Sequence, residues 1–148
     1  MTAQTGPALQ VTLTDATPEA REAYTGPERD LVVHQQDIQA VANAMWAAGA
    51  TAVTIQGQRL VSTTGIKCEG NQVTLHGLPY SPPYVIVGIG DTARLEAELT
   101  TDPILATYRD YTTIAGGGVT WDMTELDSAT APPYAGLLDM THATPMPE

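Results

Sequence analysis

The run Tyr84-Val85-Ile86-Val87-Gly88-Ile89 carries no charged side chain and is apolar on both faces, and it constrains the fold more than any other segment. Successive side chains of a strand point to opposite faces of the sheet, so such a strand needs cover on both sides. We therefore expect it in the middle of a sheet. Residues 9–14 instead alternate, with Leu9, Val11 and Leu13 on one face, which predicts a half-buried strand.

The hydrophobic period changes after residue 33. Ile38, Val41, Ala42 and Met45 recur at three- and four-residue spacing, and Gly49 follows where a helix commonly ends. This pattern predicts the main helix over residues 35–48. The preceding segment, residues 15–33, contains two prolines, one glycine and an excess of acidic residues, so we interpret it as an irregular loop.

The rest of the chain is strand-rich, with two short helices near its end. Residues 52–61, 66–68 and 73–76, with a Gly70-Asn71 turn, are typical of an antiparallel meander. A proline-rich loop follows at residues 77–83. Asp91 or Thr92 and then Asp102-Pro103 predict two short helices, and residues 119–123 predict a last strand.

This order of elements predicts an α+β fold with a split β-α-β core, similar to the ferredoxin-like plan. The sheet would be mainly antiparallel, with the helices on one face. We assign residues 1–126 to a single domain. Residues 127–148 hold four prolines and little pattern, which predicts a poorly ordered tail.

Charge and cysteine content exclude several functions. With 6 Lys+Arg against 17 Asp+Glu, the formal net charge is -11, which opposes binding to nucleic acid. The single cysteine, Cys68, cannot form an internal disulfide or hold zinc by itself. No apolar run approaches the roughly 20 residues that span a bilayer, so the chain as given is expected to be soluble.

The segment from Gly88 to Ala93 fits the G-x-G-x-x-G/A dinucleotide fingerprint, with Asp110 about 20 residues downstream. However, Asp91 would place a carboxylate beside the pyrophosphate, and no second parallel unit follows. We interpret the segment as a strand-to-helix turn capped by Asp91 and expect no cofactor.

No arrangement of side chains predicts catalysis or metal binding. The histidines lack a histidine or cysteine partner at ligand spacing; they are His34, His76 and His142. Cys68 lies mid-strand beside Lys67, and Ser81 precedes Pro82 rather than a nucleophile-elbow glycine. We therefore predict that the protein is not an enzyme.

Arg59 has two interpretations. If the strand from Val53 keeps its register, Arg59 points toward the core; a bulge at Gly57 would send Leu60 inward and leave Arg59 exposed. The functional alternative is a structural or recognition arginine that pairs with a carboxylate near residues 80–84.

Three segments in order resemble the bacterial family called domain of unknown function 881. They are HQQDIQAVANAMWAAGA from His34, IQGQR from Ile55, and YSPPYVI from Tyr80 followed by Ile89-Gly90-Asp91. The resemblance covers about residues 9–124. The family has no assigned activity. Its members typically carry an N-terminal transmembrane helix and a coiled coil before this domain, and their genes often lie near cell-division or cell-wall genes.

The resemblance implies a domain on the extracytoplasmic side of the cell membrane, with unidentified protein partners in the envelope. Because this chain lacks the helix and the coiled coil, we expect it to be an excised part of a membrane-anchored protein. The resemblance leaves homo-oligomer formation open.

Two functional hypotheses follow. The first is a non-enzymatic interaction module, and the alternative is a small-ligand-binding regulatory domain. The prolines of residues 77–83 restrict the loop that presents Tyr80, which reduces the entropy lost on binding. The candidate interaction residues are Asn43, Arg59, Tyr80 and Tyr84.

Overall fold

The computed structural model describes residues 2–61, 66–69, 72–75 and 78–133. The helices are α1 Pro18–Ala23, α2 Gln35–Ala47, α3 Thr92–Thr101 and α4 Pro103–Asp110, with 3-10 helices at Glu28–Leu31 and Tyr111–Thr113. The strands are β1 Gln4–Thr14, β2 Ala52–Ile55, β3 Gln58–Arg59, β4 Ile66–Glu69, β5 Gln72–Leu75, β6 Leu78–Tyr80, β7 Tyr84–Ile89 and β8 Thr120–Ala131.

The main sheet has five strands in the order β3-β2-β7-β1-β8, and every neighbouring pair is antiparallel. The apolar run β7 lies at its centre, as its two apolar faces require. In the sequence, α2 connects β1 to β2, while α3 and α4 connect β7 to β8. The predicted α+β fold with a split β-α-β core is therefore confirmed.

The core lies between this sheet and α2. Ile38, Val41 and Met45 are fully buried in one cluster with the inward side chains of β1, as the helical period predicts. The helix lies close to the sheet at Gly88, where a Cβ atom would come within 2.7 Å of the Met45 Sδ. Only a glycine fits there without moving the methionine side chain.

A smaller apolar cluster covers part of the opposite face of the sheet. It contains Ala8, Ala52, Ile89 and Ala131, all buried. The register of β1 against β8 shifts between Gly6 and Ala8. Such a bulge bends a strand pair, and the ends of β1 and β8 meet β2 and β7 at this cluster.

Residues 15–33 are more ordered than the loop we predicted. They contain α1 and the 3-10 helix Glu28–Leu31. The Thr17 Oγ1 accepts a 3.1 Å hydrogen bond from the Ala20 N–H, and Pro18 occupies the first turn. The same pattern, a capping residue followed by a proline, predicted the helix at Asp102-Pro103. The loop prediction for residues 15–33 relied on composition and missed this local pattern.

The last strand extends past the residue at which we placed the start of the tail. β8 continues to Ala131, five residues beyond our domain limit of 126, because residues 4–6 of β1 supply backbone partners for residues 129–131. Pairing with a distant strand stabilises a segment that has no apolar alternation of its own. The remainder of the predicted tail, residues 134–148, lies outside the described residues.

The predicted meander is divided between two sheets. β2 and β3 form a hairpin within the main sheet, while β4, β5 and β6 form a separate three-stranded sheet. The loop predicted at residues 77–83 contains β6, which pairs with β5. The predicted Gly70-Asn71 turn lies outside the described residues.

Candidate functional site

The turn between β2 and β3 decides where Arg59 points. Gln56 and Gly57 both have positive φ, 53° and 79°, and Ile55 faces Gln58 across a two-residue hairpin turn. The turn thus replaces the bulge that we considered at Gly57. It places Arg59 opposite Thr54 and leaves Leu60 buried against the helix-side core.

Arg59 is buried, with 7% of its surface exposed, so the exposed interpretation is wrong. Its Nη1 donates to the carbonyl oxygens of Thr2 at 3.1 Å and Pro132 at 2.9 Å. These partners are backbone groups rather than the carboxylate that we considered. The geometry makes Arg59 a structural residue that joins β3 to the ends of β1 and β8.

The four candidate interaction residues do not form one site. Thr54 faces Val87 across the sheet, so Arg59 shares the face of Val87, while Tyr84 points to the opposite, helix-covered face. Asn43 is exposed on α2, where its Oδ1 accepts a 3.0 Å hydrogen bond from Gln39 Nε2.

Only two of these candidates lie together. The Tyr84 hydroxyl donates to the Tyr80 carbonyl oxygen at 3.3 Å, and the partly buried Tyr80 ring packs against the core. An interaction role for Tyr80 stays a prediction.

Asp91 caps α3, as predicted. Its Oδ1 accepts hydrogen bonds from the Ala93 and Arg94 N–H groups at 3.0 and 3.3 Å. Gly90 lies close to the end of α2, since a Cβ there would be 3.3 Å from the Ala50 Cα. The segment from Gly88 to Ala93 is therefore a tight turn between β7 and α3. The first N–H groups of α3 already have the Asp91 carboxylate as their acceptor.

An open groove of about 900 Å³ lies between the start of α2 and α4, and our reading of the sequence did not identify it. One side comes from the 3-10 helix Glu28–Leu31 and the first turns of α2, and the other from α4 and the residues after it. The lining residues are Arg29, Asp30, Val32, His34, Gln35, Gln36, Asp37, Gln39, Ile104, Thr107, Tyr108, Tyr111 and Val119.

The α4 side of the groove is apolar and exposed. Ile104 and Tyr111 are 46% and 38% exposed, and among the described residues only Leu78 is a further large apolar side chain with such exposure. Ile104 lies in α4 and Tyr111 begins the 3-10 helix that follows it, and their seven-residue spacing, about two helical turns, puts them on one side. That spacing is the sequence signal that could have located the apolar side of the groove.

The α2 side of the groove is polar. Asp37 is buried, its Oδ2 accepts a 2.9 Å hydrogen bond from the His34 N–H, and the same oxygen lies 3.6 Å from His34 Nδ1. Burial raises the pKa of the Asp37 carboxyl, and the hydrogen bond from His34 opposes that rise. The carboxylate caps the first turn of α2 and is already engaged.

Two hydroxyl groups of the groove are engaged as well. Thr107 Oγ1 donates to the Pro103 carbonyl oxygen at 3.1 Å, and the Tyr108 hydroxyl donates to the Thr120 carbonyl oxygen at 2.8 Å. Burial raises the pKa of Tyr108 far above its usual range, which keeps it neutral. The groove therefore offers apolar contact and hydrogen bonds rather than an activated nucleophile.

In the part of the chain that the structure describes, no three His, Cys, Asp or Glu side chains are grouped so that they could hold a metal ion. No helix in the described ranges has both the length and the apolar character needed to cross a membrane.

Comparison with known proteins places the chain among relatives of unknown activity. UPF0749 protein YlxW of Bacillus subtilis (strain 168) is 36% identical over 88 residues, covering 58% of this chain and 36% of the relative. UPF0749 protein MT1871 of Mycobacterium tuberculosis (strain CDC 1551 / Oshkosh) is 32% identical over 91 residues, or 57% and 29% of the two chains. The chain thus spans about a third of the length of these relatives.

A solved structure has the same fold. It is the crystal structure of an uncharacterized conserved protein from Mycobacterium tuberculosis, with a TM-score of 0.67 and 21% identity over 88% of this chain and 82% of that one. The family model described as "Bacterial protein of unknown function (DUF881)" matches residues 1–144. The chain therefore belongs to the DUF881 family of bacterial proteins, as the three sequence segments indicated.

Proposed function

We propose that this domain is a non-enzymatic interaction module and that the groove beside α4 receives a segment of a protein partner. In its native setting the module is held outside the cytoplasmic membrane by an anchor elsewhere in a longer protein, and its partners belong to cell division or cell-wall assembly. The relatives are longer than this chain, which supports a longer native protein, and the rest of this setting is what the family resemblance implies.

The observation that carries the proposal is the position of the exposed apolar side chains. Ile104 and Tyr111 both line the groove, where an apolar side chain of a partner would remove them from water. An exposed tyrosine suits such a contact because its ring is apolar and its hydroxyl is polar.

The opposite side of the groove offers groups that suit a polypeptide backbone. Gln36 is exposed and its amide can both donate to a carbonyl and accept from an N–H. His34 is partly exposed and lines the same side of the groove, where its ring can contact a partner. A peptide segment with one large apolar residue would satisfy both sides of the groove at once.

A photocrosslinking residue at position 107 tests this proposal in living cells. Thr107 is exposed inside the groove, so the proposal predicts a discrete adduct with an envelope protein. The double substitution Ile104→Ser and Tyr111→Ser should remove that adduct without lowering the melting temperature by more than a few degrees.

Leu78→Ser is the matched control, because Leu78 is also exposed but lies on β6, outside the groove. It should leave the adduct unchanged. Loss of the adduct in the control as well, or an adduct that survives the double substitution, would contradict a role for the groove.

A small ligand is the second candidate, and the size of the groove favours it. A volume of about 900 Å³ lies within the range of about 300–1,000 Å³ that is usual for ligand sites. A thermal-shift screen against nucleotides, amino acids and cell-wall fragments would decide. A ligand that stabilises the wild type but not the Ile104→Ser, Tyr111→Ser variant favours this alternative.

A further inference from the structure

The edge of the main sheet at β8 is long and open in the described part of the chain. β8 runs for 12 residues and pairs there with β1 alone. In an antiparallel strand, alternate residues direct their N–H and C=O groups away from the neighbour, so one side of β8 offers a row of backbone donors and acceptors from Thr120 to Leu126, up to the register shift opposite Gly6 and Ala8. The opposite edge, β3, has only 2 residues and offers no comparable row.

The side chains of β8 define which strand could pair there. The strand carries three carboxylates, on Asp122, Glu125 and Asp127, and no lysine or arginine. Asp122 and Asp127 are exposed. Glu125 is partly engaged, since its Oε2 accepts a 3.0 Å hydrogen bond from Thr92 Oγ1.

The cations with a described contact at this strand are already engaged. Arg59 donates to the Pro132 carbonyl oxygen just beyond the last residue of β8, and Arg109 lies at its first residues. The Arg109 guanidinium stacks on the Trp121 ring, with its Cζ 5.1 Å from the centroid, and donates to the carbonyl oxygens of Leu99 and Thr100. The contact lies at the first residues of β8, and the chain as a whole has a net charge of -11. The field along the edge is therefore negative.

We infer that the β8 edge is a docking strand for an extended, basic polypeptide segment, which adds a sixth strand to the sheet. Main-chain hydrogen bonds to β8 supply affinity, and lysine or arginine side chains opposite Asp122 and Asp127 supply selectivity. This surface is distinct from the proposed groove. Val119, just before β8, lines the groove, but neither Asp122 nor Asp127 does.

Charge also decides between a basic partner and a second copy of this chain. Antiparallel pairing of two β8 strands would bring six carboxylates to one seam without a lysine or arginine from either strand. Like charges on neighbouring strands are destabilising. The carboxylates thus discourage self-pairing while they favour a cationic strand.

Titration with a synthetic peptide of about ten residues, in which two lysines stand five residues apart among valines and threonines, tests the inference at low and physiological salt. This spacing places the lysines on opposite faces of the added strand, as Asp122 and Asp127 are on β8. The probe should bind the intact domain, and amide hydrogen exchange should slow in β8. The same peptide with glutamates in place of the lysines should not bind. Substitution of Asp122→Lys together with Asp127→Lys should weaken binding of the basic peptide by about tenfold or more.

Glu96→Lys together with Asp110→Lys is the control, since both residues are exposed on helices and the change in net charge is the same. The control pair should keep most of the affinity. Equal weakening by the two pairs would overturn the inference in favour of general charge attraction. Exchange protection outside β8, or concentration-dependent self-association that protects β8, would overturn it as well. None of these outcomes depends on the groove.

Discussion

The guanidinium of Arg59 donates a 2.9 Å hydrogen bond to the carbonyl oxygen of Pro132, and so links the shortest strand of the main sheet to the end of the longest. The same nitrogen also donates to the Thr2 carbonyl oxygen. One buried side chain therefore holds the start of β1 and the end of β8 against the β2–β3 hairpin.

We expect Arg59→Ala to lower the free energy of unfolding by about 2–3 kcal/mol, because two hydrogen bonds from a buried charged donor are lost. Urea denaturation measures this change. Arg29→Ala, at an exposed arginine, should change stability by less than about 0.5 kcal/mol. Equal stability of the Arg59 variant and the wild type would contradict the structural role.

Gly88→Ala should lower the free energy of unfolding by about 1–3 kcal/mol, since the new methyl group would overlap the Met45 side chain. A double-mutant cycle with Met45→Ala checks the cause. If the overlap is responsible, Gly88→Ala should cost much less in the Met45→Ala background. Independent, additive effects would point to a different cause.

Val41→Asp should unfold the domain, at a cost of about 4 kcal/mol or more, because it places an unpaired charge in a fully buried position of α2. Asn43→Asp adds the same charge to an exposed position on that helix and should remain folded. Far-ultraviolet circular dichroism and thermal denaturation distinguish the two. A stable Val41→Asp variant would disprove the packing of α2 on the sheet.

Asp37 should make stability fall as the pH rises. Burial raises the pKa of its carboxyl in the folded state above the ordinary value of 3.8, so the folded protein holds this proton more tightly than the unfolded chain does. The contribution is full below pH 3.8 and is lost as the pH rises through the folded-state pKa.

Urea denaturation between about pH 3 and 7 measures this effect as the stability of wild type relative to Asp37→Asn. That difference should favour the wild type most at the acid end and decline toward neutral pH. Asp110→Asn, at an exposed carboxylate, reports the general effect of losing one negative charge. A difference that grows with pH would contradict the prediction.

NAD and FAD should not bind the turn at Gly88–Gly90, and titration calorimetry tests this. The Asp91 carboxylate already accepts from the first N–H groups of α3, where a pyrophosphate would have to lie. Saturable micromolar binding of either compound would contradict the interpretation of the motif as a structural turn.

Periodicity in the sequence was enough to locate the central strand, the main helix and its buried face. Tyr84–Ile89 and the spacing of Ile38, Val41 and Met45 are local patterns, and burial follows them directly. The Asp91 and Asp102 caps were predictable for the same reason, because a cap is a contact between neighbours in the chain.

Only the tertiary structure decided the position of Arg59, the end of β8 and the existence of the groove. Each depends on residues far apart in sequence: Arg59 bonds to Thr2 and Pro132, and the groove joins α2 to α4. The two-residue turn Gln56-Gly57 sets the register of β3, and a register shift of one residue would move Arg59 to the other face of the sheet. Local sequence patterns therefore determine the central strand, the main helix and the side chains that these bury. Long-range strand pairing determines which distant side chains meet, because each such contact depends on the arrangement of the whole sheet.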